Sequence, residues 1–463
     1  MSGTARRRIV IARKETRQAR KPRFAVPSVE KTAFFVAVFF LGGLLSAFGA
    51  APFPAVKDHA VKAMTLAADI VRSRPGILQP TVYEGEGVVT HEAGVAQDGV
   101  TLVQGLLPGG AQIRMVDMEG NEIHRWRVDF FDIWPDPDHV VPAANIPKSR
   151  HNYHTQGFWP RADGSVLVNV SDLGAVLLDR CSRPVWTVDR MTHHSVTPAP
   201  GGKFWVPSHI PVHDTPAQLF PADTGPEETA RQLVGTGKNY NNSVLLVNAK
   251  GEVEKEFSVL AAIHDAGLEH ALYASRKEVP ADPTHLNDIE IVTPALAAKI
   301  AAVEPGDILV SLRDMHMLAI LDRDDGRLKW HRQGPWVRQH DPDIMPDGTI
   351  EIFNNRYRGL DPTVDTSQIV SFDPATGQTD VLHPVGDDDS FYSVIMGAHQ
   401  RLGNGNVLIT ESLAGRVFET TPAGRVVWDY RLPYDDEVAS LIEVSMRFGP
   451  DYFDVKDWTC KEN

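Results

Sequence analysis

One short pattern recurs along the chain and limits what it can fold into. A histidine is followed by a polar stretch, a turn of Gly, Asp or Pro, and an alternating strand. The copies are HTQGFWPRADGSVLVNV from His154, HSVTPAPGGKFWVPS from His194, HLNDIEI with GDILVSLRD from His285, QHDPDIMPDGTIEIFNN with His340, and HQRLGNGNVLITES from His399. Six units with this grammar begin near Asp98, Asp163, Gly201-Gly202, Gly306, Asp347 and Gly405. Each reads as three strands with two turns, and Trp126, Trp186, Trp330 and Trp428 hold one place in the third strand. Repeats of this length, several strands each, are the signature of a β-propeller. One blade cannot bury both of its faces, so blades stack in a ring. The expectation is an all-β, six-bladed propeller, with seven blades as the alternative. Where a histidine precedes a unit's first strand, it then points along the central channel or at its mouth. The competing use of such a residue is a blade-to-blade hydrogen-bonding post.

The third unit is interrupted. Residues 207–240 are rich in Pro, Asp and Thr and read as a loop over one face, and a helical piece is expected around 257–275. The propeller is bounded at 96–463. Before it lie a basic tail (1–31), an uncharged apolar segment (32–56) and a helical linker (57–95). Roughly 20 apolar residues span a bilayer as a helix. The basic flank favours a cytoplasmic N-terminus. The expected placement is a single-pass inner-membrane anchor with the propeller on the periplasmic side. A cleaved, secreted form is the alternative, because Ala47, Gly49 and Ala50 suit a signal cleavage site.

Residues 1–31 hold ten Arg or Lys against Glu15 and Glu30, so the rest of the chain carries −22 of the net −14. A body that acidic is a poor nucleic-acid binder. The two cysteines, Cys181 and Cys460, exclude a disulfide-rich scaffold and a four-cysteine zinc site. Whether the two pair is not decided by spacing.

The stretches HHSVTPAPGGKF, HLNDIEI, GDILVSLRDMHMLAILDRDDGRLKW, QHDPDIMPDGTIEIFNN and HQRLGNGNVLI resemble the bacterial arylsulfate sulfotransferases. The resemblance covers roughly residues 150–430. Its most specific pieces are His285-x-Asn287, Ser311-Leu312-Arg313 and Gln339-His340. It implies an exported propeller enzyme that moves a sulfuryl group from a phenolic sulfate ester to a phenol, with no nucleotide sulfate donor and no cofactor. It also implies that His340 takes the sulfuryl group covalently, giving ping-pong kinetics. By the same resemblance His285, Arg313 and His194 are catalytic, with His193 as the alternative to His194. Asn287 is implied to hold a substrate oxygen or orient His285. Asn355 and His399 are further candidates for lining the pocket. Two departures stand out: the His285-to-Arg313 span is lengthened by EIVTPALAAKIAAVE, and no cysteine pair lies between Arg313 and His340.

The residue types fit the chemistry. Sulfuryl transfer, like phosphoryl transfer, rests on positioning and electrostatics. A neutral imidazole is a competent nucleophile near neutral pH. A second histidine can protonate the leaving phenolate, and an arginine fork suits sulfate oxygens. Converging histidines also bind zinc or copper, but Arg313 among them disfavours a cation there, and no metal is assigned. Two other readings are a non-catalytic, membrane-tethered propeller that binds a ligand or envelope partner, and a quinoprotein-like oxidoreductase. The oligomeric state is left open.

Overall fold

Strand Leu441–Phe448, near the C-terminus, closes the ring by pairing with Val100–Leu107 in the first blade. The computed structural model describes residues 74–221, 225–233, 239–273, 281–357, 366–387 and 389–460. Six antiparallel sheets make six blades. Blade 1 runs from Leu441–Phe448 at the axis through Val100–Leu107 and Gly110–Val116 to Glu122–Arg127. Blade 2 is Thr155–Pro160, Val166–Val170, Gly174–Leu178 and Pro184–Val188. Blades 3 to 6 follow the same order, with inner strands Thr197–Ala199, Leu286–Ile291, His340–Ile344 and Ala398–Arg401. Neighbouring inner strands pack on one another around the channel.

Each blade therefore has four strands where the sequence suggested three. The extra one is the inner strand, which in five blades begins within three residues of the histidine. The tryptophans expected in the third strand lie in the outermost one. Trp126 and Trp428 are fully buried there, and Trp186 and Trp330 partly so. The middle strands are apolar on both faces, as in Ile308–Leu312 and Met317–Leu321, because each blade is covered by a blade on either side.

The interruption of blade 3 contains short helical turns and the helix Gly225–Leu233, and helices Val259–Asp265 and Glu269–Tyr273 fill the expected helical stretch. The linker expected over 57–95 ends instead in a strand, Gly87–His91, which adds to the outer edge of blade 6 by pairing with Val426–Arg431. The apolar segment 32–56 and the helix expected over 57–73 lie outside the described residues. Among those described, no helix is long and apolar enough to cross a membrane. Cys181 and Cys460 form a disulfide across 279 residues. It ties the C-terminal segment, whose Phe453 and Trp458 pack on Trp126, to blade 2.

Candidate active site

The inner strands begin irregularly, and that irregularity builds the site. In blade 5 the ladder bulges between His340 and Pro342. Pro342 has no N–H to continue it, and Asp341 takes a φ of 49°. Blade 4 bulges in the matching place, between Leu286 and Asp288. A bulge re-aims the side chain beside it. His194 and His285, just ahead of their inner strands, have φ of 51° and 47°. Left-handed backbone is unusual for these residues and persists only where the surroundings enforce it. Gly157 supplies part of that enforcement. Its N–H donates to His194 O at 2.7 Å, and a Cβ there would lie 2.3 Å from the same oxygen.

The sequence candidates mostly converge. The rings of His194 and His285 meet edge to face with centroids 5.3 Å apart. His194, His340 and Asn287 line one cavity of about 70 Å³, together with Gln156 and Glu443. The lengthened span between His285 and Arg313 does not separate them. Leu286 pairs with Leu312, and Arg313 N–H donates to His285 O at 3.0 Å. The extra residues leave at the far end of the hairpin as the helical turn Pro294–Ala297.

The electrostatics match this proximity. Burial, then the Arg313 guanidinium, pulls the His340 imidazole down to about 3, and His285 adds to the effect. His194 is held well below the usual histidine range by burial, then by His193, His285, His340 and Arg313. Arg313 Nε donates to Asp314 Oδ1 at 3.1 Å, and the same oxygen takes Arg338 Nη2 at 3.1 Å. His193, the alternative to His194, sits directly behind it, with the two Nδ1 atoms 2.8 Å apart. It stacks on His209 at 4.2 Å, and its Nε2 bonds Ser208 O at 3.2 Å. His209 in turn bonds Asp172.

Two asparagines make contacts that the sequence does not show. Asn355, a pocket-lining candidate, is fully buried and clamps the nucleophile candidate. Its Nδ2 donates to Ser393 O (2.8 Å) and Met396 O (2.6 Å), so its Oδ1 faces His340 Nδ1 at 2.7 Å. Asn287 was expected on a substrate oxygen or on His285. Its Nδ2 donates to Gln339 O at 2.7 Å, tying blade 4 to the peptide that precedes His340, while it lines the cavity and its Oδ1 has no partner among the described residues. Asp282, which sequence reading missed, ion-pairs with His285 Nδ1 and accepts from Asn242 Nδ2 at 2.7 Å. Its one sequence signal was a carboxylate three residues before a histidine, in DPTH.

His399 departs from the group. Its Nδ1 bonds Asp341 Oδ2 at 2.9 Å, and it lines a second cavity of about 210 Å³ with Asp288, Glu290, Asp341 and Asp343. Loss of bulk water and mutual repulsion hold Asp288, Glu290 and Asp343 well above the usual carboxylate range. His399 therefore faces carboxyl groups on both of its ring nitrogens. The channel is thus polar, with His194 and His340 on one cavity, His399, Glu290 and Asp343 on the other, and Asp288 and Asp341 lining both. His154, the fifth repeated histidine, faces Glu443 at 2.7 Å. That glutamate stands on blade 1's inner strand, the one blade that carries no histidine in this position. A larger cavity, about 770 Å³, opens beside Arg338 and is walled by Tyr83, Tyr357, Phe391 and Tyr392.

Among solved structures, a protein of unknown function from Bacteroides caccae is 13% identical, covering 74% of this chain and 97% of that one, with a TM-score of 0.45. Virginiamycin B lyase from Staphylococcus aureus is 10% identical over 62% of this chain and 72% of its own, with a TM-score of 0.34. The Pan2 WD40 domain of Neurospora crassa is 12% identical over 74% and 78%, with a TM-score of 0.37. Likeness at this level says nothing of what the chain binds. No curated protein matches it. The family model described as arylsulfotransferase (ASST) matches residues 161–432, which covers blade 2 beyond its inner strand, blades 3 to 6 and every sequence candidate for the site. The chain belongs to the arylsulfotransferase family.

Proposed function

We propose that the chain transfers a sulfuryl group from an aryl sulfate to a phenol through a covalent sulfohistidine at His340. The observation that carries this reading is the clamp on its ring. Asn355 presents an oxygen that must accept, so Nδ1 of His340 holds the proton and Nε2 holds the lone pair. Burial beside Arg313 keeps that lone pair free of a proton at neutral pH.

In the first step Nε2 attacks sulfur and the S–O bond to the aryl group breaks. The bond's electron pair leaves on the phenolate oxygen. His285, oriented through Nδ1 by Asp282, protonates that oxygen from Nε2. Arg313, whose Nε is held by Asp314, offers its η nitrogens to the equatorial sulfate oxygens. In the second step the acceptor phenol gives its proton to His285 and its oxygen attacks sulfur. The N–S bond breaks and its pair returns to His340 Nε2. The cavity beside Arg338, walled by aromatic rings, suits the aryl groups. We further propose that the propeller works outside the inner membrane, tethered through residues 32–56.

Incubating the chain with an aryl sulfate and no acceptor tests this. The expected result is release of phenol and the mass of one sulfuryl group on His340, absent in His340→Asn. No phenol release from a range of donors would overturn the reading.

A further inference from the structure

The carboxyl-lined cavity of the channel contains a histidine nitrogen that nothing satisfies. His399 has a fully buried side chain, and its Nε2 has no hydrogen-bond partner among the described residues. Its other nitrogen is committed. Asp341 Oδ2 accepts from the backbone N–H of His399, and Nδ1 lies 2.9 Å from the same oxygen. A carboxylate on Nδ1 makes that nitrogen the protonated one, which points the Nε2 lone pair at whatever lies beyond. What lies beyond is Asp343 Oδ2 and Glu351 Oε2, each 3.7 Å from Nε2. Glu351 Oε2 is likewise buried and without a hydrogen-bond partner, while its Oε1 takes Arg401 Nη2 at 2.7 Å.

A separation of 3.7 Å is too long for a hydrogen bond. It is close to the spacing of ligands that share one small cation. Four ligands about 2.1 Å from a metal stand about 3.4 Å from one another. Asp341, Asp343 and His399 also bring one ligand atom each within 4.8 Å of one another. Asp288 and Glu290 face the same cavity, so carboxyl groups crowd there in a way that a bound cation would relieve. Asp341 and Asp343 are half-buried and border that cavity, which gives an ion a way in.

We infer that His399 Nε2 and Asp343 bind a divalent transition-metal ion, with Asp341 orienting the imidazole from behind and Glu351 facing the same nitrogen. One nitrogen with carboxylate oxygens suits zinc, manganese or cobalt rather than calcium, which takes oxygen ligands. The site borders the His340 cavity through Asp288 and Asp341, and the inference does not depend on the transfer chemistry.

The test uses the full chain freed of metal by a chelator, titrated with Co²⁺ and Zn²⁺ by calorimetry and with Co²⁺ by visible absorption. One ion per chain is expected, with a cobalt d–d band that Zn²⁺ displaces. His399→Gln and Asp343→Asn should each weaken binding by at least about 100-fold. Asp343→Asn changes a half-buried position and guards against a His399 variant that fails to fold. Calcium should not compete at equal concentration. The inference is overturned if neither metal binds below millimolar concentration, or if both variants bind as the parent does. It is equally overturned if calcium competes equally, which would leave a non-specific carboxylate cluster around a histidine.

Discussion

His340→Asn should make the protein's stability less sensitive to acid, and the size of the effect follows from burial. Asparagine keeps a donor for Asn355 Oδ1 and removes the titrating ring. In the folded chain the His340 imidazole is held at about 3. Unfolded, it returns to about 6.5. Between those values the unfolded state binds the extra proton, so stability falls as pH drops through 6.5 and the loss levels off near 3. At pH 5 the unfolded ring is almost wholly protonated and the folded ring almost wholly neutral. The cost is then about 2 kcal/mol, against about 0.2 kcal/mol at pH 7. That figure hardly moves if the folded value is a unit higher, because at pH 5 the folded ring stays neutral either way. Asp288, Glu290 and Asp343 act in the opposite sense. Their raised values mean the folded state binds protons first and is stabilised as pH falls. The raw pH profile therefore mixes signs, and the comparison between parent and variant isolates His340. Denaturant unfolding of both chains at pH 7 and pH 5 reads it. The parent should lose about 2 kcal/mol more than the variant between the two. Equal losses would mean that His340 titrates normally in the folded state, and the argument for a buried, neutral nucleophile would fail.

Arg313→Lys should lower kcat/KM for an aryl sulfate by about 100-fold or more, because a point charge cannot replace the fork that Asp314 holds; steady-state kinetics across donors reads it, and an unchanged value would remove Arg313 from the sulfate site. Asp282→Asn should slow turnover by about 10²-fold with donors whose phenols are poor leaving groups and far less with nitrophenyl sulfate, since only the former need His285 as an acid; equal slowing of both would make Asp282 merely structural. Cys181→Ser should lower unfolding free energy by about 2–5 kcal/mol by freeing a long loop in the unfolded chain. Its activity below the melting range should stay at the parent's level, because the bond lies on the outer edge of blade 2.

Much of the molecule was legible in one dimension because its signals are local and repeated. Alternation and turn residues recur at blade spacing, so the all-β ring followed from the sequence, as did a histidine at the head of the inner strand in five of the six blades. The resemblance assigned His340, His285, Arg313 and His194, and the fold brings all four together. What the sequence misread depended on register and on partners far along the chain. Three strands were read per unit because the inner strand opens with a bulge and a proline, which break alternation at His340–Pro342. The span from His285 to Arg313 looked like a disruption, yet antiparallel pairing places its ends side by side whatever the hairpin's length. Residue type does not say where the amide donors of Asn355 and Asn287 go, and here they go to Ser393, Met396 and Gln339. His399 carried the same local pattern as His340. Only the ring's closure set it among Asp341, Asp343 and Glu351, and the charge of those neighbours, not the motif, decides what it can bind. Sequence alone determined the repeat and its histidines. Tertiary structure decided which of them meet, because strand register and blade order bring together residues that no local pattern links.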